Sequence, residues 1–258
     1  MNETLRACLI ICPFIFAAGF VDSVAGGGGV ISVTGAMLAG LPVHIALGTN
    51  KCIMSFGTSV SAIKYFKNGK VLAGVAMISA AGAMIGAAVG SRLTLFLPER
   101  MLKLLLLAAL PAVTIFLSVK KSIGADDAVP RKMSKAAQLF TALGIGLTVG
   151  AYDGLIGPGT GTFLILAFSG LMGFDLLTSS GCAKVSNLAS NVTAMIVYVV
   201  HGKVFYQVAV PAILFCMAGN WLGARYALKG GSRNVRKIMY LVLGLLFAKV
   251  VLELCGIL

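Results

Sequence analysis

One pattern occurs twice in this chain. Gly19, Asp22, Gly26 and Gly28 recur 131 residues later as Gly150, Asp153, Gly157 and Gly159. Further on the offset becomes 133, where Gly48 and Lys51 match Gly181 and Lys184, and Tyr65 matches Tyr198. At the same offset Gly69-Lys70-Val71 matches Gly202-Lys203-Val204. Gly86, Gly90 and Arg92 match Gly219, Gly223 and Arg225, and Arg100 matches Arg233. Chance alignment of apolar runs would not reproduce so many glycines and charges, so the chain reads as a duplicated unit. The copies run over about 5–120 and 136–253. The domain reading is a first transmembrane repeat over 1–120, a polar connector over 121–135 and a second transmembrane repeat over 136–258, all in one integral membrane domain.

Each copy holds five apolar stretches, at about 7–25, 29–41, 44–66, 71–97 and 101–119, then 136–156, 160–172, 175–200, 204–228 and 234–253. Only 11% of residues are charged and 59% are hydrophobic, whereas a soluble domain carries about 25% charged residues. The expected class is an all-α polytopic membrane protein of about 8–10 hydrophobic segments. The second stretch of each copy has about 13 residues, short of the ~20 a full span needs. It follows a glycine-rich break, Gly26–Gly29 or Gly157–Gly161. Short, broken or re-entrant helices survive at membrane depth only when protein covers them or they face a wet cavity. Such breaks at matching places in two halves point to the binding site of a transporter.

The basic excess, 21 Lys and Arg against 8 Asp and Glu, falls mostly in short loops, where it orients spans rather than binding nucleic acid. If the first two stretches of a copy form a down-and-up pair, the repeats are inverted. Lys64, Lys67, Lys70, Lys120, Lys121, Arg131, Lys132, Lys135, Lys229, Arg233, Arg236 and Lys237 then gather on one side. The positive-inside rule favours this topology, with both termini outside. Residues 1–25 imitate a signal peptide, with Arg6, an apolar run and Ser23-Val24-Ala25. The same pattern recurs internally near 136–157, so it is read as a span. The six cysteines lie in or beside apolar stretches with no C-x-x-C, and are read as small buried hydrophobes. Gly82, Gly86 and Gly90, and Gly219, Gly223 and Ala227, recur every four residues as a close helix-packing seam.

Ionisable groups inside apolar stretches are functional candidates by default. Here they are Asp22, Asp153, Lys51 and Lys184, each matched by its repeat partner. Lys51 opens a polar stripe with Ser55, Thr58 and Ser59, and Lys184 one with Asn187 and Asn191, at helical spacing. Thr49, Asn50, Ser179 and Ser180 precede the lysines as caps or donors. One reading is an anion site near the membrane midplane. Lys51 and Lys184 supply charge, Thr49, Asn50, Ser180, Asn187 and Asn191 donate hydrogen bonds, and Gly27, Gly28 and Gly159 expose backbone N–H groups. The other reading pairs each lysine with an aspartate as a structural ion pair, or lets it snorkel from a helix end. Asp22, Asp153 and His44 are candidates for proton coupling. His201 reads as solvated, and Arg92 and Arg225 as interfacial anchors. No G-x-x-x-x-G-K-[ST] is present, no metal site is expected, and no cofactor is expected.

The segments AGFVDSVAGGGGVISV, GLPVHIALGTNK and Tyr-x-x-x-Gly-Lys-Val resemble the first half of the sulfite exporter TauE/SafE family. YDGLIGPGTGTFL, AKVSN and HGKV resemble its second repeat. The second repeat departs from the family pattern at Ser180-Gly181-Cys182-Ala183-Lys184. The resemblance implies a bacterial or archaeal inner-membrane permease for sulfite, thiosulfate or organosulfonates. The function expected is a non-enzymatic secondary transporter, an exporter working by alternating access. Its expected partners are a small inorganic or organosulfur anion and the lipid bilayer, with protons and a second copy of the chain as further candidates. The alternatives are an anion channel, or a membrane-embedded sulfur-handling enzyme using Cys52 or Cys182.

Overall fold

In a computed structural model of the chain, residues 3–102, 104–106 and 131–254 are described. Among them every regular element is a helix. In order these are α1 (Glu3–Ala25), α2 (Gly28–Leu38), α3 (Val43–Lys67), α4 (Ala73–Phe96), α5 (Lys135–Leu155), α6 (Thr160–Met172), α7 (Leu176–Val200) and α8 (Tyr206–Leu254). A further helical stretch opens at residue 99. The first copy's fifth stretch beyond residue 106, the connector up to residue 130 and Cys255 lie outside the described residues. Within α8, Gly231 has φ 62° and ψ −155°, outside the helical region, so two helices meet there. They account for the last two apolar stretches of the second copy.

Among the described residues four segments are long and apolar enough to cross a membrane: Leu5–Ala25, Ala73–Phe96, Leu176–Val200 and Tyr206–Val242. The helices α2 and α6 are apolar but have only 11 and 13 residues. Phe96, Phe140, Val200 and Leu214 are among many large apolar side chains that point outward. A soluble monomer does not expose so continuous an apolar surface.

The glycines set the packing. Gly28 of α2 lies on Ala18 and Asp22, and Gly35 on Phe14, so α2 folds back along α1. Gly82, Gly86 and Gly90 of α4 sit against the backbone of α5 between Leu143 and Leu155. Gly219 and Gly223 of α8 sit against Phe16 and Phe20 of α1. The small-residue stripes are thus helix seams, as their spacing indicates, because only a bare Cα lets two backbones approach so closely. Each seam joins the fourth helix of one repeat to the first helix of the other, and in both the two helices run parallel. At the centre Gly48 of α3 meets Lys203 beyond the end of α7, while Gly181 of α7 meets Lys70 beyond the end of α3. The matched helices α3 and α7 therefore run antiparallel.

The start of α7 is capped by Asp175, whose Oδ1 accepts the N–H groups of Leu177 and Thr178, both at 3.0 Å. The Ser232 hydroxyl, just past the α8 kink, donates to the same oxygen at 3.3 Å. Partial burial raises the pKa of this carboxyl, but the hydrogen bonds from Thr178, Leu177 and Ser232 outweigh it and hold the pKa below the usual carboxylate value. Asp175→Ala is expected to cost about 1 kcal/mol of stability near neutral pH. A carboxyl of lowered pKa stabilises above its unfolded-state value, about 3.9, and loses that contribution as pH falls through its folded value. Thermal unfolding in detergent should show wild type and Asp175→Ala converging below about pH 4.

Candidate functional site

The two glycine-rich breaks form one junction. Gly26, between α1 and α2, has φ 81°, and Gly157 and Gly159, between α5 and α6, have φ 91° and 86°. All three lie in the left-handed region, which glycine enters without steric cost. A Cβ on Gly26 would strike the backbone of Gly161, and one on Gly161 would lie 2.5 Å from Gly26 Cα. The Thr162 hydroxyl donates to the Ala25 carbonyl at 2.8 Å, satisfying one of the carbonyls left open at the end of α1.

Two ion pairs flank this junction, and both run between the repeats. Lys51 Nζ lies 2.7 Å from Asp153 Oδ1, and Lys184 Nζ lies 2.8 Å from Asp22 Oδ2. All four residues are buried, with exposures of 3% for Lys51, 2% for Asp153, 0% for Lys184 and 4% for Asp22. At such depth a charge persists only with its partner, so each pair locks one repeat to the other. Pairing of lysine with aspartate is the arrangement the second sequence reading describes. Its crosswise direction depends on the antiparallel α3 and α7 and could not be read from spacing.

Around Lys51 the polar network continues. Its Nζ also donates to Asn191 Oδ1 at 3.1 Å, and Asn191 Nδ2 donates to Asn187 Oδ1 at 3.2 Å. The Ser190 hydroxyl donates to Asp153 Oδ2 at 2.6 Å. Lys51, Asp153, Asn187 and Asn191 border a cavity of ≈ 20 Å³ with Asp22, Asn50, Met54 and Thr160, floored by Gly26, Gly29, Gly157 and Gly161. That volume holds about one water molecule. Asn50 Oδ1 is buried and has no hydrogen-bond partner among the described residues.

The other sequence candidates lie elsewhere. Thr49 Oγ1 accepts the Phe205 N–H at 3.0 Å, tying α3 to the start of α8. The matched position in α7 is Cys182, which lies near the backbone of Leu72. The Ser180 hydroxyl donates to the Val24 carbonyl at 3.4 Å. Gly27 packs on Val242, Gly28 on α1, and Gly159 caps α6, so the cavity floor consists of neighbouring glycines instead. Ser55 and Ser59 bond back to their own helix at Lys51 and Phe56. His44 Nε2 meets the Thr94 carbonyl at 3.2 Å, with Nδ1 4.0 Å from Glu99. It sits about 10 Å along α3 from Lys51. His201 bonds the Val197 carbonyl in its own turn. Arg225 and Lys64 flank the ring of Trp221 at 5.5 Å and 4.1 Å, a cation–π cluster suited to the membrane interface. Met54, Thr160 and Ser190 were not among the sequence candidates. Ser190 stands six residues after Lys184, off its helical stripe, and only the crossing of α5 over α7 brings it to Asp153.

Over residues 11–250 the chain matches the family model described as Sulfite exporter TauE/SafE. It belongs to the TauE/SafE family. A probable membrane transporter protein, ORF9, from Sinorhizobium sp is 34% identical, the alignment covering 92% of this chain and 89% of that one. A probable membrane transporter protein of Haemophilus influenzae is 30% identical over 92% of each chain. The probable membrane transporter protein YfcA of Escherichia coli K12 is 29% identical over 98% of this chain and 96% of its own. No solved structure matches the chain significantly. This TauE/SafE protein is a multi-pass membrane protein and a membrane transporter of that family's type.

Proposed function

We propose that this TauE/SafE transporter exports a small sulfur-containing anion, such as sulfite, thiosulfate or an organosulfonate, by alternating access between two inverted repeats. The observation that carries this reading is the cavity where the two helix breaks cross. It is buried, edged by the Lys51 ammonium and by the amides of Asn50, Asn187 and Asn191, and lies between the two repeats. The opposite running of α3 and α7 and the folding back of α2 on α1 support inversion. Two lysines and two aspartates cancel in charge, so an incoming anion competes with Asp153 for Lys51. Protonation of Asp153 would release that lysine, a route by which protons couple to transport. A membrane potential negative inside favours anion exit by about 2.3 kcal/mol per charge per 100 mV.

Proteoliposomes holding the purified protein test this with labelled sulfite, thiosulfate and methanesulfonate. A carrier gives saturable flux and counterflow, in which unlabelled anion on one side drives labelled anion to accumulate on the other. Flux without counterflow would select the channel instead. A Cys-free variant is expected to keep wild-type flux, and its inactivity would favour sulfur chemistry at Cys52 or Cys182.

A further inference from the structure

The two ion pairs occupy matched places in the repeats, yet their surroundings differ in chemistry. Lys51 borders the cavity, and the amides of Asn50, Asn187 and Asn191 stand round it. The matched positions round Lys184 hold Ala183, Met54 and Thr58, so no amide stands among them. Ser190, which holds the second oxygen of Asp153, is matched by Gly57. A Cβ there would run into Cys216 Sγ and Asn220 Nδ2 of α8, so the place of that hydroxyl is taken by packing. Lys184 is fully buried, and it is absent from the cavity wall, as are Thr58 and Asn220.

We propose that the anion binds to the Lys51 half alone, and that Lys184, paired with Asp22 at the cavity edge, is a structural tie between α7 and α1 that meets no ligand. This rests on the transport reading above. Asn187 Oδ1 and one N–H of Asn191 Nδ2 are spent on each other, and Asn191 Oδ1 on Lys51. The donors left to face a ligand are Lys51 Nζ, the Nδ2 groups of Asn187 and Asn50, and the second N–H of Asn191 Nδ2. Such a set suits a compact oxyanion, whose oxygens only accept hydrogen bonds. The Lys184 half offers a ligand no such set, and a buried pair with no further role is replaceable by apolar side chains of similar volume.

The test compares two paired replacements in proteoliposomes with labelled sulfite, thiosulfate and methanesulfonate. Lys184→Met with Asp22→Asn, which keeps a polar group of the same shape at the cavity wall, is expected to lose about tenfold at most. Lys51→Met with Asp153→Leu is expected to lose about 100-fold, while eluting as a monodisperse protein with a wild-type-like Tm. Single substitutions keep the question open to test where a pair variant fails to fold. Asn191→Leu should raise KM about tenfold, and Thr58→Val at the matched position should leave it unchanged. Equal losses in both pair variants, or a larger loss from the Lys184 pair or from Thr58→Val, would overturn the one-sided site and leave the transport function standing. A wild-type protein that moves none of the three anions would overturn both.

Discussion

Lys51→Ala is expected to abolish transport, by about 100-fold or more, and to destabilise the protein by about 3–5 kcal/mol at the same time. Two separate causes act. In the proposed site the ammonium is the cavity's cationic donor, so its loss would remove the group proposed to meet the anion. It is also the partner of Asp153, which is 2% exposed and would be left without a cationic partner in the protein interior. Ser190 would still hold one oxygen of that carboxylate, but a neutral hydroxyl compensates only part of a buried charge. The two causes separate on removing the second charge. Lys51→Ala with Asp153→Ala should recover most of the stability and none of the transport. Thermal unfolding in detergent and anion flux in vesicles read the two quantities independently. A single variant with unchanged Tm would mean that Asp153 gains another partner or a proton at little cost. Wild-type flux in it would remove Lys51 from the site.

Gly161→Val is expected to prevent assembly of the folded protein altogether. Even the Cβ of an alanine would lie 2.5 Å from the Cα of Gly26, and that atom belongs to backbone, which cannot rotate away as a flexible side chain can. Gly26 is locked in turn, because it combines positive φ with contact to Gly161. Separating the breaks would also pull the Thr162 hydroxyl from the Ala25 carbonyl and open the cavity floor. Gly144→Ala is the control. Nothing lies within 4 Å of a Cβ at that helical position, and alanine should gain up to about 1 kcal/mol there. Yield of monodisperse protein after extraction checks both. Recovery of Gly161→Val in wild-type amounts would show that the breaks can separate without loss of the fold.

Much of the architecture was legible because it depends on local rules. A stretch of about 20 apolar residues becomes a membrane helix, since lipid leaves its backbone groups no other partner. Glycine runs mark breaks, since glycine alone enters the left-handed region there without cost. A four-residue spacing of small residues marks a seam, since it lines one helix face. The buried ionisable residues stood out for an energetic reason, being too costly in an apolar stretch without a purpose. All four did prove to be buried and paired.

The partners were not legible. Lys51 precedes Asp153 by more than one hundred positions, and nothing along the chain distinguishes Asp153 from Asp22 as its mate. Thr49 and Ser180 look like ligand donors beside a lysine, but the structure spends them on backbone groups of α8 and α1. Ser190 looked like an ordinary helix serine until α5 laid Asp153 beside it. Helical spacing reports which residues share a face and says nothing of what that face meets.

The sequence by itself determined a helical membrane protein with two glycine-rich helix breaks and four ionisable residues in its apolar stretches. Those properties follow from the cost of exposing backbone and charge to lipid, which each segment meets independently. Only the tertiary structure decided that the two breaks touch, that each lysine binds the aspartate of the opposite repeat, and that the amides gather on Lys51 and leave Lys184 without them. Those choices arise where antiparallel α3 and α7 meet parallel pairs of helices, and the chain carries no local signal of that crossing.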